Sequence, residues 1–218
     1  MEKGIWQDFD GYDKVVEAIK ISREYNLDYI HDVDSAQQFI DRLHPARLRL
    51  RVQDIIERTP QAKTIRLSSR AGDLPPFQAG QYISLFLEIG GVRTSRPYSI
   101  SSPPNQIGYY DLTVKKVPDG LASSYLLEDL KVGDELDSSG PAGQFFFNPL
   151  IHDRTMVCLA GGSGVTPFLS MIREIVERGL DREVFLFYGN RTLDEALFHP
   201  KLRKIAAKFP QIKYFPVI

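Results

Sequence analysis

From residue 46 onward, apolar and polar residues alternate with a period of two. Three arginines alternate with Leu48, Leu50 and Val52, which predicts a strand with one buried face. Five more runs of strand-forming residues follow, separated by Gly, Pro and Asn: 63–68, 81–89, 91–100, 109–117 and 134–138. One helix at about 122–130 interrupts them. This density of strands predicts a small antiparallel β-barrel of the α+β class over residues 45–148.

Beyond residue 149 the pattern changes to strands that alternate with helices. Three apolar runs are predicted strands, with a helical pattern in each interval between them: 155–160, 184–188 and 212–218. Strands that alternate with helices predict a parallel α/β sheet, here of three strands over residues 149–218. The run at 184–188 is apolar throughout, which is typical of a strand covered on both faces.

Residues 1–44 form a third region, with helical patterns. Apolar residues lie near one face of a segment from Asp13 to about Tyr25, and Asp34 precedes a second amphipathic stretch that ends before Pro45. We therefore predict a short N-terminal helical extension, a β-barrel domain at 45–148 and an α/β domain at 149–218.

Composition narrows the classes of function. The chain has 218 residues and a net charge of −1, so no basic surface suggests nucleic acid as a partner. The apolar runs are too short to cross a bilayer, which predicts no transmembrane segment. The single cysteine, Cys158, excludes an internal disulfide, and the four histidines lack metal-ligand spacing, so no metal site is predicted. A cytoplasmic location fits this composition.

Arg96, Pro97, Tyr98 and Ser99 form the most informative short motif. An arginine offers a bidentate fork for a phosphate, and a tyrosine two residues later offers a flat face for a ring. The serine adds a hydroxyl donor beside that ring. Together these residues predict a flavin nucleotide pocket.

A second motif runs from Gly120 through Leu121, Ala122 and Ser123. Gly120 permits a tight turn, and the three residues after it present free N–H groups at the start of a helix. A pyrophosphate fits such a site. The alternative is a glycine turn with a serine cap, which is the commoner event for such a string in isolation.

A third motif joins the first predicted strand of the α/β domain to its helix. Gly161, Gly162, Ser163 and Gly164 let a phosphate approach the backbone, and the helix dipole favours its charge. Thr166 is placed to cap the helix that follows. The spacing differs from the Rossmann fingerprint, so a plain strand-to-helix turn stays an alternative.

Taken together, these motifs resemble the ferredoxin–NADP reductase superfamily over about residues 46–218, in the family's order. The matching segments are Arg96 to Ser99, Gly120 to Ser123, Gly140 to Gly143, Gly161 to Pro167 and Tyr188 to Arg191. The chain is most similar to the oxygenase-reductase branch, whose members also carry a two-iron, two-sulfur ferredoxin module.

The resemblance implies a role for each matched residue. Arg96 would bind the flavin phosphate within the motif that Pro97 completes. Tyr98 would pack on the isoalloxazine and Ser99 would lie near the flavin N5, so these two are the predicted catalytic residues. The FAD pyrophosphate would bind at Gly120–Ser123, which favours FAD over FMN, and backbone groups of three β-strand residues would line the flavin: Thr113, Val114 and Lys115. The residues expected to bind NADH or NADPH are Gly161, Gly162, Ser163, Gly164, Thr166, Asn190 and Arg191.

The implied function is oxidation of NADH or NADPH, with hydride passing to FAD and single electrons passing to an iron–sulfur or other redox protein. Arg191 could favour the 2′-phosphate of NADPH, and both nucleotides stay open. The family's nucleotide domain has five strands, so we expect either a piece of a longer reductase or a second chain at the sheet edge. Any two-iron, two-sulfur cluster is expected outside residues 1–218. The alternative function is a non-catalytic flavin-binding electron-transfer or regulatory subunit, whose nucleotide domain is a partner-binding surface.

Overall fold

The computed structural model describes residues 12–24, 40, 45–70 and 74–218. Helix α1 spans Tyr12–Glu24, close to the predicted bounds. Apart from Ile40, the second predicted N-terminal helix lies outside the described residues. The described residues from 45 to 218 fold as one compact unit.

Six antiparallel strands form the first part of this unit. Their bounds are β1 Leu48–Thr59, β2 Ala62–Ser69, β3 Tyr82–Ile89, β4 Val92–Ser99, β5 Tyr110–Lys115 and β6 Glu135–Ser138. The strand order is β4-β3-β6-β1-β2-β5, and a bridge between Ile100 and Leu112 joins the two ends of the sheet. The predicted barrel is therefore confirmed.

The period-two pattern explains why β1 is a strand. Leu50 and Val52 lie in the barrel core, while Arg49 and Arg51 are exposed on the other face. Helix α2, Leu121–Ser124, continues as a single π-helical turn, Tyr125–Asp129, and buries Leu126 in the same core. The predicted helix near 122–130 is thus present.

The second part is a parallel sheet with the order β7-β8-β9. Its elements are β7 Thr155–Gly161, a 3₁₀ turn Gly162–Val165, α3 Thr166–Arg178, β8 Glu183–Gly189, α4 His199–Lys208 and β9 Ile212–Val217. Gly179 ends α3 in the left-handed conformation, with φ of 64°. Thr166 is the first helical residue rather than the predicted cap, and its hydroxyl donates to the Ser163 carbonyl at 2.9 Å.

The expectation that the strand at 184–188 is covered on both faces is wrong for the described residues. Helices α3 and α4 contribute to one core with Val184, Leu186 and Tyr188, which are fully buried. On the other face Phe187 is 38% exposed and stacks on Phe215, with ring centroids 4.8 Å apart. The alternation of side chains along a strand puts these two sets on opposite faces.

Two cores, one in the barrel and one in the α/β sheet, meet along a polar seam. Lys115 of β5 forms an ion pair with Glu195 at 3.2 Å, and Asn105 donates to Glu177 of α3 at 2.9 Å. Ala62, at the first hairpin of the barrel, belongs to the core of the α/β sheet. The seam therefore combines apolar contacts with polar ones.

Gly80 occupies a tight point at this seam. Its φ is +107°, and a Cβ atom there would lie 2.0 Å from the Phe145 carbonyl oxygen and 2.5 Å from the Met171 methyl group. Backbone atoms cannot yield as a flexible side chain can, so only glycine fits this position.

Gly80→Ala should lower the free energy of unfolding by about 3 kcal/mol, because left-handed strain adds to an overlap with backbone. The matched control is Gly91→Ala in the β3–β4 turn, where φ is +78° and nothing lies within 4 Å of the added Cβ. The control should lose only about 1 kcal/mol. Urea unfolding of both variants measures the difference, and equal losses would contradict the crowding argument.

Candidate cofactor site

Strand β4 presents Arg96 and Tyr98 on one face. Arg96 pairs with Leu85 of β3 and Tyr98 with Ile83, so both lie on the face shared with those buried residues. Arg96 is exposed, its Nη1 donates to the Ser95 carbonyl at 2.8 Å, and none of the ion pairs found among the described residues involves it. Its guanidinium is therefore available to a phosphate.

Tyr98 is half-buried and packs against the barrel core. Burial raises the pKa of its phenol, so the ring stays neutral. Pro97 pairs with Ser84 and is exposed, and Ser99, half-buried, ends the strand opposite Tyr82. The arrangement offers a flat aromatic face at the end of β4.

The end of β4 meets β5 at the Ile100–Leu112 bridge. Residues Thr113 and Val114 follow on β5 with buried side chains, and Lys115 is held by Glu195. Three residues that the resemblance assigns to the flavin through their backbone thus lie directly beyond the point where β4 and β5 join.

The turn before α2 is built differently from the sequence expectation. The left-handed residue is Asp119, with φ of 55°, while Gly120 has φ of −81°. Gly120 is favoured by close approach, because a Cβ there would lie 2.9 Å from the Val117 Cβ and 3.0 Å from the Val117 carbonyl oxygen, in addition to 2.5 Å from the Ser123 hydroxyl. That hydroxyl accepts a hydrogen bond from the Val117 N–H at 3.1 Å, so Ser123 braces the turn and does not cap the helix. No side-chain hydrogen bond caps the N-terminus of α2, which begins at Leu121 and Ala122.

The glycine loop after β7 faces open space. A Cβ added at Gly161, Gly162 or Gly164 would meet nothing within 4 Å. Ser163 is exposed, whereas Thr166 is buried. From the opposite side, the Tyr188 hydroxyl donates to the Gly162 carbonyl at 2.7 Å and fixes the loop to β8. The 3₁₀ turn Gly162–Val165 also contacts β5, so this loop lies beside the strand that the flavin motif adjoins.

Asn190 and Arg191 follow β8 at the same end of the parallel sheet. The Asn190 N–H donates to the Val217 carbonyl at 3.0 Å, and Arg191 is exposed. Both polar atoms of the Asn190 side chain are buried beside the Tyr188 hydroxyl, and neither makes a hydrogen bond of good geometry within the described part of the chain. Buried amides with unsatisfied hydrogen-bonding capacity are rare, so this one is a candidate group for a polar ligand.

The cysteine and the described histidines have structural roles in the fold. Cys158 is buried beneath α3, and desolvation raises its pKa to about 11, so it is an inert core residue. His199 shares a 2.8 Å hydrogen bond with Tyr214, and His152 accepts one from the Asn148 N–H at 3.0 Å. His31 and His44 lie outside the described residues. In the ranges that the structure describes, no group of three or more potential ligands could hold a metal ion.

Sequence analysis missed a polar network that links β1, β2 and β5 to Ser101, which lies just after β4. The Ser101 hydroxyl contacts the Thr113 hydroxyl at 3.1 Å, Thr113 contacts Thr64 at 2.9 Å, and Arg58 donates to Thr64 at 2.7 Å. Opposite charges on facing strands were the only sequence signal nearby: Arg66 binds the Asp111 carboxylate through two bonds of 2.8 and 3.0 Å. Long-range hydroxyl contacts of this kind carry no sequence signature.

Comparisons with known proteins agree with this geometry. Residues 48–147 match the family described as oxidoreductase FAD-binding domain, and residues 158–218 match the oxidoreductase NAD-binding domain. The chain belongs to the ferredoxin reductase-like family. The recognition of this family and the predicted cofactors, FAD and a nicotinamide nucleotide, are confirmed, and the predicted domain bounds stay a prediction. No helix in the described ranges is long and apolar enough to cross a membrane.

Two relatives are named as parts of a phenol hydroxylase and of a toluate dioxygenase. The phenol hydroxylase P5 protein of Acinetobacter pittii (strain PHEA-2) is 35% identical over 188 residues, which cover 86% of this chain and 51% of that protein. The toluate 1,2-dioxygenase electron transfer component of Pseudomonas putida is 35% identical over 153 residues, covering 69% and 44%. The chain spans about half the length of these relatives.

Solved structures of reductases share the fold of this chain. Amycolatopsis cytochrome P450 reductase GcoB aligns with a TM-score of 0.71 and 28% identity, covering 80% of this chain and 53% of that one. Phthalate dioxygenase reductase aligns with a TM-score of 0.68 and 25% identity, covering 78% and 51%. Its published description is electron transfer from pyridine nucleotides to a [2Fe-2S] centre.

Tyr188→Phe should test how the glycine loop is held. Loss of the hydrogen bond to Gly162 should cost about 1 kcal/mol of stability at neutral pH. Burial raises the pKa of the Tyr188 phenol to about 12. Because the folded state keeps a proton that the unfolded state releases, this stabilisation is lost as the pH rises from 10 towards 12. Urea unfolding across this pH range gives the free energy of unfolding of Tyr188→Phe and of the unsubstituted protein. The difference between these two free energies should narrow as the pH rises, and a constant difference would contradict the assignment.

Proposed function

We propose that this chain is an FAD-dependent NAD(P)H oxidoreductase module that supplies electrons to an iron–sulfur or other redox protein. The observation that carries the proposal is the contact between the 3₁₀ turn Gly162–Val165 and β5. This contact puts the loop suited to a nicotinamide nucleotide beside the strand that follows the flavin motif. Such a juxtaposition is the requirement for a hydride donor and acceptor to meet.

The flavin half fits FAD on two structural observations. The guanidinium of Arg96 forms no ion pair among the described residues and lies on the same face of β4 as half-buried Tyr98, and no side chain caps the N–H groups at the start of α2. In the proposal, Arg96 holds a phosphate, Tyr98 packs on the ring system and Ser99 lines its reactive edge. The N–H groups at Leu121 to Ser123 receive the pyrophosphate.

The nucleotide half fits NADH or NADPH. The open backbone at Gly161–Gly164 and the first turn of α3 would receive the pyrophosphate, with Thr166 holding the turn through Ser163. The buried amide of Asn190 would bond a sugar or phosphate group, and exposed Arg191 would lie beside it. These residues orient the nucleotide; the buried core beneath them keeps the loop in place.

FAD, when bound, accepts a hydride and returns the two electrons one at a time, so no acid–base triad is required of the protein. The chain's residues supply binding and alignment. Related proteins differ in the acceptor that their names state, from aromatic-ring oxygenase systems to cytochrome b5. An iron–sulfur protein is our proposal because the oxygenase reductases share long aligned stretches with this chain. The cytoplasmic location stays a prediction from composition.

A second candidate function has one observation in its favour. The face of the parallel sheet opposite α3 and α4 exposes Val157 by 67% and Leu159 by 74%, next to the stacked Phe187 and Phe215. Contiguous exposed apolar residues mark interaction surfaces. A non-catalytic flavin-binding subunit would use this face as a partner-binding surface.

An anaerobic absorbance titration of the FAD-loaded chain with NADH, and then with NADPH, separates the two functions. Stoichiometric bleaching of the flavin by one nucleotide is the expected result, and it also identifies the preferred nucleotide. Bleaching by dithionite alone would overturn the catalytic proposal in favour of the non-catalytic subunit.

Arg96→Ala should weaken FAD binding by about 10- to 100-fold, because a charge-assisted bond to phosphate is lost. Arg93→Ala is the matched control: Arg93 lies on the other face of β4 and pairs with Glu88 at 3.2 Å. Arg96→Lys retains the charge without the fork and should fall between them. Quenching of flavin fluorescence measures all three, and equal affinities of the two alanine variants would refute the assignment.

A further inference from the structure

We propose that Ser170 is a positioning residue for hydride transfer, an inference that rests on the proposed function. Its hydroxyl ties the helix that carries the nucleotide loop to the segment that follows the flavin motif. Through this bond Ser170 would set the alignment of the two halves without touching either cofactor.

The geometry of the bond is unusual among the contacts of the seam. Ser170 Oγ donates to the Ser102 carbonyl oxygen at 2.6 Å, and both residues are completely buried. Ser102 lies three residues after Ser99 of the flavin motif, and Ser170 lies four residues after Thr166 at the start of α3. One short, water-free hydrogen bond therefore joins the two candidate cofactor segments.

The barrel end of the bond is rigid. The Ser101 N–H donates to the Asp111 carbonyl at 2.8 Å, and the Asp111 N–H donates to the Ser102 hydroxyl at 3.1 Å. The Asp111 carboxylate is in turn held by Arg66 through a bidentate pair. The Ser102 carbonyl is consequently a fixed point, because Ser101 and Ser102 are both hydrogen-bonded to Asp111 of β5.

The helix end is equally constrained. Ile172 and Ile175 anchor α3 in the core of the parallel sheet with no exposed surface. Thr166 couples the first turn of α3 to the glycine loop through its bond to Ser163. A shift of α3 relative to Ser102 would therefore move the loop with it.

Other polar contacts across the seam are open to water. The Asn105–Glu177 hydrogen bond is exposed, and the Lys115–Glu195 pair has side chains exposed by 25% and 38%. Water can replace an exposed partner, whereas a buried carbonyl that loses its donor has no substitute. Ser170 is thus the contact on which alignment depends most strongly.

Ser170→Ala removes the hydrogen-bond donor, and Ser170→Cys fills the same space with a weak donor. The matched control is Asn105→Ala, which breaks an exposed hydrogen bond between the same two segments. Each FAD-loaded variant is titrated with NADH or NADPH, whichever reduces the unsubstituted protein. Stopped-flow absorbance gives the rate constant for flavin reduction at saturating nucleotide and the long-wavelength charge-transfer absorbance. Fluorescence quenching gives FAD affinity, and calorimetry with the oxidised nucleotide gives nucleotide affinity.

Ser170→Ala should lower the limiting rate constant about 10- to 100-fold and weaken the charge-transfer absorbance, with both affinities within about two-fold, because misalignment acts on the reacting geometry rather than on binding. Ser170→Cys should recover part of the rate, and Asn105→Ala should match the unsubstituted protein. A Ser170→Ala protein that reacts at the unsubstituted rate, or that is slow only because it binds a cofactor poorly, would overturn the inference.

Hydrogen–deuterium exchange separates this outcome from failure of the proposed function. If neither nucleotide reduces the unsubstituted protein, the proposed function fails, and the exchange measurement alone decides the inference. Ser170→Ala should then accelerate exchange in 99–105 and in the first turns of α3, while Asn105→Ala leaves both segments unchanged. Unchanged exchange in Ser170→Ala would show that Ser170 does not fix the two segments.

Discussion

The bridge between Ile100 and Leu112 is the contact on which the candidate site depends. It joins the two edge strands of the six-stranded sheet, β4 and β5, and closes the barrel. Strand β4 thereby delivers Arg96 and Tyr98 to the edge where β5 leads on to the turn at Gly120. Without this closure, the flavin motif and the pyrophosphate turn would belong to opposite edges of an open sheet.

Two separate apolar cores stabilise the two halves of the unit, and their junction is mainly polar. Hydrophobic burial has no direction, so it holds each half together without specifying their relative placement. Hydrogen bonds are directional, and Ser102 and Ser170 form one that is fully buried. Gly80 adds a steric constraint at the same seam, because it admits the Phe145 backbone and Met171 closely. The directional Ser170–Ser102 hydrogen bond and the close packing at Gly80 together define how the glycine loop lies against β5.

The parallel sheet has an asymmetric environment. Helices α3 and α4 cover the face that bears Leu186 and Tyr188, whereas Val157, Leu159 and Phe187 on the other face are exposed in the described chain. The exposed rings of Phe187 and Phe215 stack on each other, which shields part of their surface. This face carries the apolar surface that a neighbouring element or partner would cover.

The sequence alone determined the classes of element, the barrel followed by a parallel sheet, and the family. Those features follow from local periods of two and 3.6 residues and from short motifs whose members are adjacent in the chain. Their cofactor roles remain proposals. Tertiary structure decided what depends on distant residues: that Gly80 is enclosed by the Phe145 backbone and Met171, that β8 is covered on one face among the described residues, and that Ser170 reaches Ser102. Residues separated by tens of positions meet only after folding, because packing and loop path set those distances, and no local pattern encodes them.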